Sequence, residues 1–548
     1  LGMLSAVERC VKMIARTRGE RIDLSRIPFD DGPTFKAIQE AETTSAFQIE
    51  SRAQMQSLRR TRPANLEELA IQVAIIRPGP IQGGAVNPYI QRRQRQREDP
   101  DYEPPCLHPS LVPALRETLG TIIFQDQVLE VAQAFAGFSP GEADGLRRAM
   151  SRKRATAAVE RYRERFAAGA TRHVGAPPEL IDRVWEMVAG FAGFGFPKAH
   201  SAAFGLLAYQ STWLRVHYGP EFVCALLNEQ PMGFYPSDSL VHEAQRRGIE
   251  LRAVDVNASA AECTVEAGAV RIGLGYVSGV REEEIEALVA ARREGGRFRD
   301  LAELAGRATA CRGSLEQLAW SGACDALAGD RRQALWQLGI AAPGRRVPGG
   351  TQLALALDVG APPALRELGR WASLLADYAT TGVSVSDHAM AILRPYLAGV
   401  ATSSELAVLP HGGGVSVVGL VVARQRPETA SGVVFMLLED EHGTVNLIVP
   451  PAVYERHRHI VRAEPLVFAE GRLERPAGGG GTINVLVRSL RGLDPEQLTV
   501  PPAAVIHLPD GKPDSSEADQ VASAGAQAVG GLRAVAPPVQ SFGSGRRR

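Results

Sequence analysis

The sequence predicts a multidomain α+β chain with a mostly helical first part, paired helical hairpins in the middle and a small β-barrel near the C-terminus. Three observations lead to this prediction. The 548 residues exceed what one hydrophobic core organises. Apolar residues recur at helical spacing through residues 1–250, broken by proline and glycine. From Val415 onward they alternate in short runs, which is typical of strands.

The composition places the chain among multidomain proteins of a reducing compartment. Lys plus Arg equals Asp plus Glu, at 61 each, so binding to nucleic acid must depend on local patches and not on net charge. The six cysteines contain no CxxC pair, which argues against a zinc ribbon and a disulfide scaffold. Since the sequence shows no long apolar run and no signal peptide, we expect a cytoplasmic protein without a membrane partner.

A glycine-rich segment, residues 193–204, leads directly into an apolar helix and is a candidate anion site. Small residues let backbone N–H groups approach an anion, and a helix N-terminus adds partial positive charge. Lys198, His200 and Ser201 add a charge, a donor and a hydroxyl group. The pattern suits a polyphosphate, but it is equally compatible with a loop that only caps a buried helix.

A second candidate is the pair Arg147 and Arg148, which lies in a helical pattern shortly before the basic run Arg152, Lys153 and Arg154. Guanidinium groups match phosphate oxygens in a two-pronged geometry. A solvated basic helix face is the usual alternative for one charge run. The near absence of acids from 147 to 154, upstream of the glycine-rich segment, favours phosphate binding.

Together these motifs resemble the fingers domain of C-family bacterial DNA polymerases, the polymerase III alpha subunits. The resemblance is carried by residues 146–150 and 193–203. Further matches follow in family order over roughly residues 1–495, at 47–51, 77–80, 124–128, 272–277 and 318–323. Residues 254–257 and 377–382 resemble the error-prone, damage-inducible branch.

The resemblance implies an error-prone DNA-directed DNA polymerase that acts in damage-induced translesion synthesis. Its substrates would be primer–template DNA and the incoming dNTP. The triphosphate would be held by the candidates named above, Arg147, Arg148, Lys198, His200 and Ser201. A non-catalytic DNA-binding module that recruits partners is the alternative reading.

In this family a palm domain carries three aspartates that hold two metal ions, and carboxylates are the ligands that Mg²⁺ prefers. The chain starts at Leu1 without a methionine, and the resemblance places this start just past the third aspartate. We therefore expect a C-terminal part of a longer polymerase, with Mg²⁺ held outside this chain. No catalytic or metal-binding residue is predicted within it, and this chain alone is predicted to be inactive.

The predicted DNA contacts lie in basic patches and glycine turns. The basic candidates are Arg77, Arg92, Arg93, Arg95, Arg152, Lys153 and Arg154. Phosphate contacts from such patches would be independent of base sequence and sensitive to salt. Gly273 and Gly275 lie in a predicted tandem helix-hairpin-helix region, where N–H groups of a glycine turn can face a DNA phosphate. The alternative is a structural hairpin.

The predicted domains follow these patterns along the chain. They are a fingers domain at 1–250, with the end of the palm at 1–15, a helix-hairpin-helix region at 251–342, a linker and helical segment at 343–410, an OB-type barrel at 411–495, and a disordered tail at 496–548. The barrel rests on five predicted strands, at 415–422, 433–440, 444–449, 466–471 and 483–487.

The linker contains a candidate for partner binding. Gln352–Leu357 lies where family members carry a sliding-clamp peptide, but Ala356 replaces the phenylalanine that anchors such peptides. Accessory mutagenesis proteins are further partners that the resemblance implies.

Overall fold

The computed structural model describes residues 2–77, 85–151, 156–190, 196–233, 235–341, 363, 365–427, 430–475, 483–495, 498 and 531–543. It divides into two compact units. Residues 22–217 form the first unit; residues 1–21, 218–475 and the described residues from 483 onward form the second. The predicted fold class, with helices first, helical hairpins next and a barrel last, is confirmed.

The first unit is helical. After α1 (Gly2–Thr17), which belongs to the second unit, its helices are Gly32–Gln39 (α2), Arg52–Thr61 (α3), Leu66–Ile75 (α4), Val86–Glu98 (α5), Val112–Leu115 (α6), Gln125–Ala136 (α7), Pro140–Ser151 (α8), Thr156–Val174 (α9), Pro178–Ala189 (α10) and Lys198–His217 (α11). Side-chain caps start three of them, because Asp31 accepts the Thr34 N–H at α2, Ser51 accepts the Gln54 N–H at α3 and Asn65 accepts the Glu68 N–H at α4.

Helix α11 packs closely on α4. A Cβ atom at Gly205 would lie 3.1 Å from Ala70 Cα, so glycine allows this approach. One turn earlier on α11, the buried Ser201 hydroxyl donates to the Ala70 carbonyl. The crossing fixes the N-terminal end of α11, where Lys198 begins the helix.

A separate core joins α7, α8, α9 and α10. It is built around Phe135, Phe166 and Trp185, and Leu146 of α8 is buried in it. The connection from α7 to α8 starts at Gly137, whose φ of 64° ends α7 in the left-handed conformation. Such a short link makes two packed helices run back along each other. The core therefore holds α8 in place while its basic residues face outward.

The second unit begins with α1, which packs on α12 (Gly219–Asn228), followed by α13 (Ser237–Arg246). Arg18 donates to both carboxylate oxygens of the buried Glu221, at 2.7 and 2.9 Å. Arg9 pairs with Glu229 at 2.8 Å. These contacts group residues 1–21 and 218–250 with the second unit, whereas the predicted first domain placed them with the fingers.

The predicted helix-hairpin-helix region forms a small sheet followed by short helices. Strand β3 (Ala269–Arg271) pairs in parallel with β1 (Leu251–Arg252) and antiparallel with β2 (Thr264–Glu266). The helices are Glu282–Gly295 (α14), Leu301–Arg307 (α15), Arg312–Trp320 (α16), Asp325–Ala328 (α17) and Arg331–Ala341 (α18). Glu284 of α14 accepts the Ser314 hydroxyl and the Cys311 N–H, which ties α14 to α16.

The barrel closes over five strands: Gly414–Arg426 (β4), Val434–Glu439 (β5), Thr444–Val449 (β6), Leu466–Glu474 (β7) and Asn484–Gly492 (β8). Their order is β5-β6-β8-β7-β4, and β4 also pairs with β5. The long β4 makes closure possible, because residues 414–420 pair with β7 and residues 420–425 pair with β5. All five predicted strands are present at their predicted positions.

Further helices surround the barrel: Arg370–Thr380 (α19), Ala389–Leu393 (α20), Pro451–Arg456 (α21), Arg458–Ala463 (α22) and Leu532–Val535 (α23). A last strand, β9 (Gln540–Gly543), pairs in parallel with residues 423–426 of β4. Residues 531–543 fall in the tail that was predicted to be disordered, but here they are structured. The physical reason is Leu532, which is buried against the barrel, together with an open edge of β4 that β9 covers.

Candidate nucleotide and nucleic-acid interface

Lys198 stands at the start of α11 among carboxylates. Its N–H donates to Asp126 Oδ2 at 2.7 Å, and its Nζ donates to Glu117 Oε2 at 2.6 Å. The helix end that was predicted to receive a phosphate thus receives a carboxylate from the first turn of α7. A carboxylate at this position has the charge and the acceptor geometry that favour a helix N-terminus.

The surroundings of Lys198 are acidic overall. Partial burial and the nearby Glu117 raise the pKa of Glu130, while Lys198 opposes this shift. Three carboxylates, those of Glu117, Asp126 and Glu130, therefore surround one ammonium group. An anionic ligand at this end of α11 gains the Lys198 charge only if it displaces or outcompetes these carboxylates.

Arg147 and Arg148 differ from Lys198, because these two cations lie beside one shared carboxylate. Arg147 donates from Nε and Nη2 to Asp144 Oδ1 at 2.9 and 2.7 Å, and Arg148 Nε lies 2.7 Å from Asp144 Oδ2. The hydrogen bond from Arg147 and the charge of Arg148 lower the pKa of Asp144. Both guanidinium groups thus share the Asp144 carboxylate, and the Arg148 side chain is 69% exposed to solvent.

His200 lies in a row of aromatic rings. Its ring centroid is 4.9 Å from Phe196 and 4.0 Å from Phe204, and Phe204 contacts Phe47 at 5.1 Å. The His200 side chain is exposed, so it can still reach a ligand. The row holds the start of α11 rigidly, as a binding site requires.

Arg77, predicted to contact DNA, is the other end of this row. Its guanidinium lies 3.6 Å from the centre of the Phe196 ring, and partial burial lowers its pKa. The Phe196 carbonyl in turn accepts the Gln125 N–H at 2.9 Å. Arg77 is therefore placed to hold the segment before Lys198, and the rest of the predicted turn, residues 78–80, lies outside the described residues.

Ser201 does not join the predicted nucleotide site. Its side chain is fully buried and its hydroxyl donates to Ala70. The hydroxyl serves the crossing of α4 and α11 because the first turn of α11 buries that face. The glycines of the segment, residues 193–195, lie outside the described residues, so their predicted N–H contacts stay a prediction.

Two of the three arginines of α5 that were predicted to contact DNA already bond to other groups of the protein. Arg92 donates to the Leu119 carbonyl and is partly buried, which lowers its pKa. Arg93 pairs with Glu68 and donates to Gln96. Arg95 is exposed and remains a candidate for DNA contact. The other predicted run, residues 152–154, lies outside the described residues.

The N–H groups of Gly273 and Gly275 are already used within the chain. Gly273 is buried and donates to Cys263 Sγ at 3.4 Å, while Gly275 donates to the Ala261 carbonyl at 2.9 Å. Both therefore hold the turn against residues 261–263 and do not offer amides to a phosphate. Gly279, at φ +83°, is a further exposed glycine of this region and lies just before α14.

One buried cluster among the described residues has the side chains for a metal site: His242, His388 and Glu439, whose ligand atoms lie within 4.8 Å of one another. His388 Nδ1 accepts the Met390 N–H at 3.0 Å. The single proton of the neutral ring then sits on Nε2, which removes the lone pair that a metal would need. The chemistry of this donor set does not fit a metal site.

Sequence reasoning missed the carboxylates that hold these cations. Asp144 could have been found, since it lies three and four positions before Arg147 and Arg148 on one helix. Glu117 had no such signal, because 81 positions separate it from Lys198.

Comparison with known proteins agrees with this architecture. A model of the bacterial DNA polymerase III alpha subunit finger domain matches residues 3–174. A helix-hairpin-helix motif matches residues 248–334, and an OB-fold nucleic acid binding domain matches residues 415–492. These domains define a multidomain protein of the nucleic-acid-binding class.

Similarity to individual proteins is more specific than the match to these domains. The chain is 42% identical over 491 residues to an error-prone DNA polymerase of Pseudomonas fluorescens, which covers 86% of this chain and 46% of the relative. Error-prone DNA polymerases of Anaeromyxobacter sp. (strain K) and Mycobacterium tuberculosis are each 42% identical, covering 90% and 87% of this chain and 44% and 43% of their own lengths. Over most of its length the chain is thus similar to error-prone DNA polymerases, and its first part is similar to the finger domain of the bacterial polymerase III alpha subunit. It spans less than half the length of these relatives.

Among the described helices, none is both long enough and apolar enough to cross a membrane.

Proposed function

We propose that this chain provides the fingers, helix-hairpin-helix and OB regions of an error-prone DNA-directed DNA polymerase. In that role it binds primer–template DNA and the incoming dNTP. The names of the relatives support a function in damage-tolerant translesion synthesis, which for a bacterial polymerase takes place in the cytoplasm. Sliding-clamp binding through residues 352–357 stays a prediction, because this peptide lies outside the described residues.

The observation that carries the nucleotide part of the proposal is the pair of guanidinium groups that share Asp144. Arg148, whose side chain is 69% exposed, presents its charge to solvent in the domain that matches polymerase fingers. A triphosphate offers several oxygens in place of the two of Asp144. Guanidinium–phosphate contacts of this kind are stronger than neutral hydrogen bonds.

Lys198 and His200 supply the second side of the proposed site. The Lys198 side chain is 54% exposed, and among the described residues its ammonium group pairs with Glu117 alone, an exposed pair whose net contribution is typically below about 1 kcal/mol. A phosphate can therefore replace this carboxylate at little cost. Ser201 is assigned to packing, and the proposed site does not include it as a ligand, although the sequence predicted it to be one.

In this proposal, the metal centre that phosphoryl transfer requires lies outside the described residues. Paired divalent cations, of which Mg²⁺ is the usual one, stabilise the attacking and leaving oxygens. The one cluster with metal-ligating side chains does not fit such ions, as its histidine chemistry shows. The proposed roles of the described residues are to bind, orient and neutralise the substrates.

The test is dNTP binding by the full chain in the presence of primer–template DNA, measured by calorimetry and compared with a deoxynucleoside monophosphate. Arg148→Ala or Lys198→Ala removes one charge-assisted contact, typically worth about 1.5–3 kcal/mol, and should weaken dNTP binding about tenfold to a hundredfold. Monophosphate binding and DNA binding should change little. Arg163→Ala, an exposed arginine paired with Glu160 and Asp182 in the same unit, is the matched control.

Two outcomes would count against the proposal. Unchanged dNTP affinity in both variants, together with a lower melting temperature, would show that these residues only stabilise the fingers. Binding of DNA without any dNTP binding would favour the non-catalytic recruitment module.

A further inference from the structure

The helices between β6 and β7 form a basic surface on the barrel. Val453 and Val461 point into the core of the barrel. The exposed side chains on the other face are Arg456, Arg458, His459 and Arg462, here called the basic ridge. The spacing of Arg458 and Arg462 puts both on one face of α22, so two like charges face solvent side by side.

The ridge differs from three arginines of the strands, which have partners inside the protein. Those partners are the Glu464 carbonyl for Arg424, the Tyr454 ring for Arg426 and Glu474 for Arg472. Among the described residues, Arg458, His459 and Arg462 have no hydrogen-bond or ion-pair partner. Arg456 donates only to the Ala452 carbonyl of its own helix, at 3.3 Å.

Such an arrangement does not stabilise the barrel by itself. Like charges four positions apart on a helix repel each other. The one acid within the ridge helices is Glu455, and it too is exposed. The ridge therefore projects positive charge outward, which is favourable when an extended polyanion lies along it.

The chemistry of the barrel favours single-stranded DNA as that polyanion. OB folds usually combine a basic groove with aromatic rings on which bases stack. In this barrel Tyr454 is 6% and Phe468 is 8% exposed, and arginines cover both rings. These two rings do not offer stacking surfaces and Phe435 is half-buried, so charge must provide most of the affinity.

We propose that the basic ridge binds the phosphate backbone of single-stranded DNA, as template strand outside the duplex, without reading its sequence. This proposal rests on the proposed function, because it names the surface by which the OB region serves a polymerase. It assigns the contact to the helices α21 and α22 and not to Arg424, Arg426 and Arg472 on the strands.

The test measures binding of the full chain to a fluorescent oligo-dT of about 20 nucleotides by anisotropy, across a range of salt concentrations. Each lost phosphate contact on a single strand reduces the slope of log affinity against log salt by about 0.7. Arg458→Ala with Arg462→Ala should therefore lower the slope by about 1.4 and the affinity about tenfold to thirtyfold near 0.1 M salt. The melting temperature should stay the same or rise slightly.

The matched control is Arg472→Ala with Arg491→Ala, which removes the same charge from the same barrel at positions with internal partners. If both double variants weaken binding equally, the effect is one of net charge and the ridge assignment is wrong. If the ridge variant binds oligo-dT like the unmodified chain, the assignment is also wrong, while the proposed polymerase function stands. Failure of the unmodified chain to bind any DNA at low salt would overturn both.

Discussion

The charged clusters of the two units differ in how far they are exposed to solvent. Near the barrel, Glu439 and His242 are 2% and 4% exposed, and Arg246 donates to Glu439 at 2.8 Å. In the fingers unit, Arg148 and Lys198 have partners at similar distances, but they are 69% and 54% exposed. The number of partners is comparable. What differs is the exposure of the side chains to solvent. A buried cation keeps its carboxylate as part of the fold, whereas an exposed cation can exchange its carboxylate for a phosphate.

Burial makes the first cluster part of the structure. Glu439 also accepts the Ser239 hydroxyl at 2.8 Å, and Asp238 accepts the Tyr378 hydroxyl and the Ser384 N–H. Removing one partner of such a network leaves another buried charge without compensation. Exposed pairs carry no such penalty, since water replaces the lost partner.

The largest expected difference between the two clusters is the loss of stability when one carboxylate is deleted from each. Glu439→Ala removes a buried carboxylate from Arg246 and His242, which keep Glu243 and Asp238 as partners, and should destabilise the second unit by about 3–5 kcal/mol. Glu117→Ala, which removes the exposed partner of Lys198, should cost less than about 1 kcal/mol. Urea unfolding followed by hydrogen exchange of β5 and α11 measures each unit separately. Equal losses in the two variants would show that burial is not the property that separates the clusters.

The sequence predicted the folds better than it predicted which charges are free. The five strands of the barrel were found because each alternates apolar residues between glycine-rich turns, a strictly local signal. Ser201 was taken for a ligand because serine beside Lys198 suits a phosphate. Its burial depends on the crossing with α4, more than a hundred positions away in sequence, which no local pattern contains.

The same reason explains two further differences. Gly273 was predicted to offer its N–H to DNA, but Cys263, ten positions earlier, accepts it. Residues 531–543 follow a stretch rich in alanine, glycine, proline and serine and were assigned to a disordered tail. They are structured because Leu532 and β9 find partners on the barrel, which only the folded chain brings within reach.

A second prediction concerns the pH dependence of the buried cluster. Burial lowers the pKa of His388 from 6.5 to about 3, so the unfolded chain binds its proton first. The stability that the neutral ring provides is complete above pH 6.5 and is lost as the pH falls toward about 3. Burial raises the pKa of Asp238 from 3.8 to about 6, so this group acts in the opposite direction between those values.

Variants separate these two opposing effects. As the pH falls from 6.5 to about 5, His388 should lower the free energy of unfolding by about 2 kcal/mol, and Asp238 should raise it by about 1 kcal/mol. His388→Asn keeps an acceptor for the Met390 N–H and should make the second unit more stable on acidification. Asp238→Asn should make the loss steeper. Thermal melting at a series of pH values measures both, and a parallel pH profile in all three proteins would contradict the assignment.

The smallest expected effect tests the exposed side of the comparison. Glu117→Gln removes the carboxylate that pairs with Lys198 Nζ, and it lowers the acidity around the start of α11. If Lys198 faces the incoming nucleotide, dNTP affinity should rise about twofold to fivefold, since exposed pairs are worth only a few tenths to about 1 kcal/mol. The gain should shrink as salt rises, because exposed charges are screened.

Asp182→Asn is the matched control for this last variant, because Asp182 is an exposed carboxylate of the same unit that pairs with Arg163. It removes the same charge from the same unit and should leave dNTP affinity unchanged. Weaker dNTP binding in Glu117→Gln would mean that the pair positions Lys198 and does not compete with the nucleotide. A gain of equal size in both variants would mean that dNTP responds to the overall charge of the fingers and not to Lys198. Only a gain confined to Glu117→Gln identifies an exposed carboxylate as the group that a triphosphate replaces.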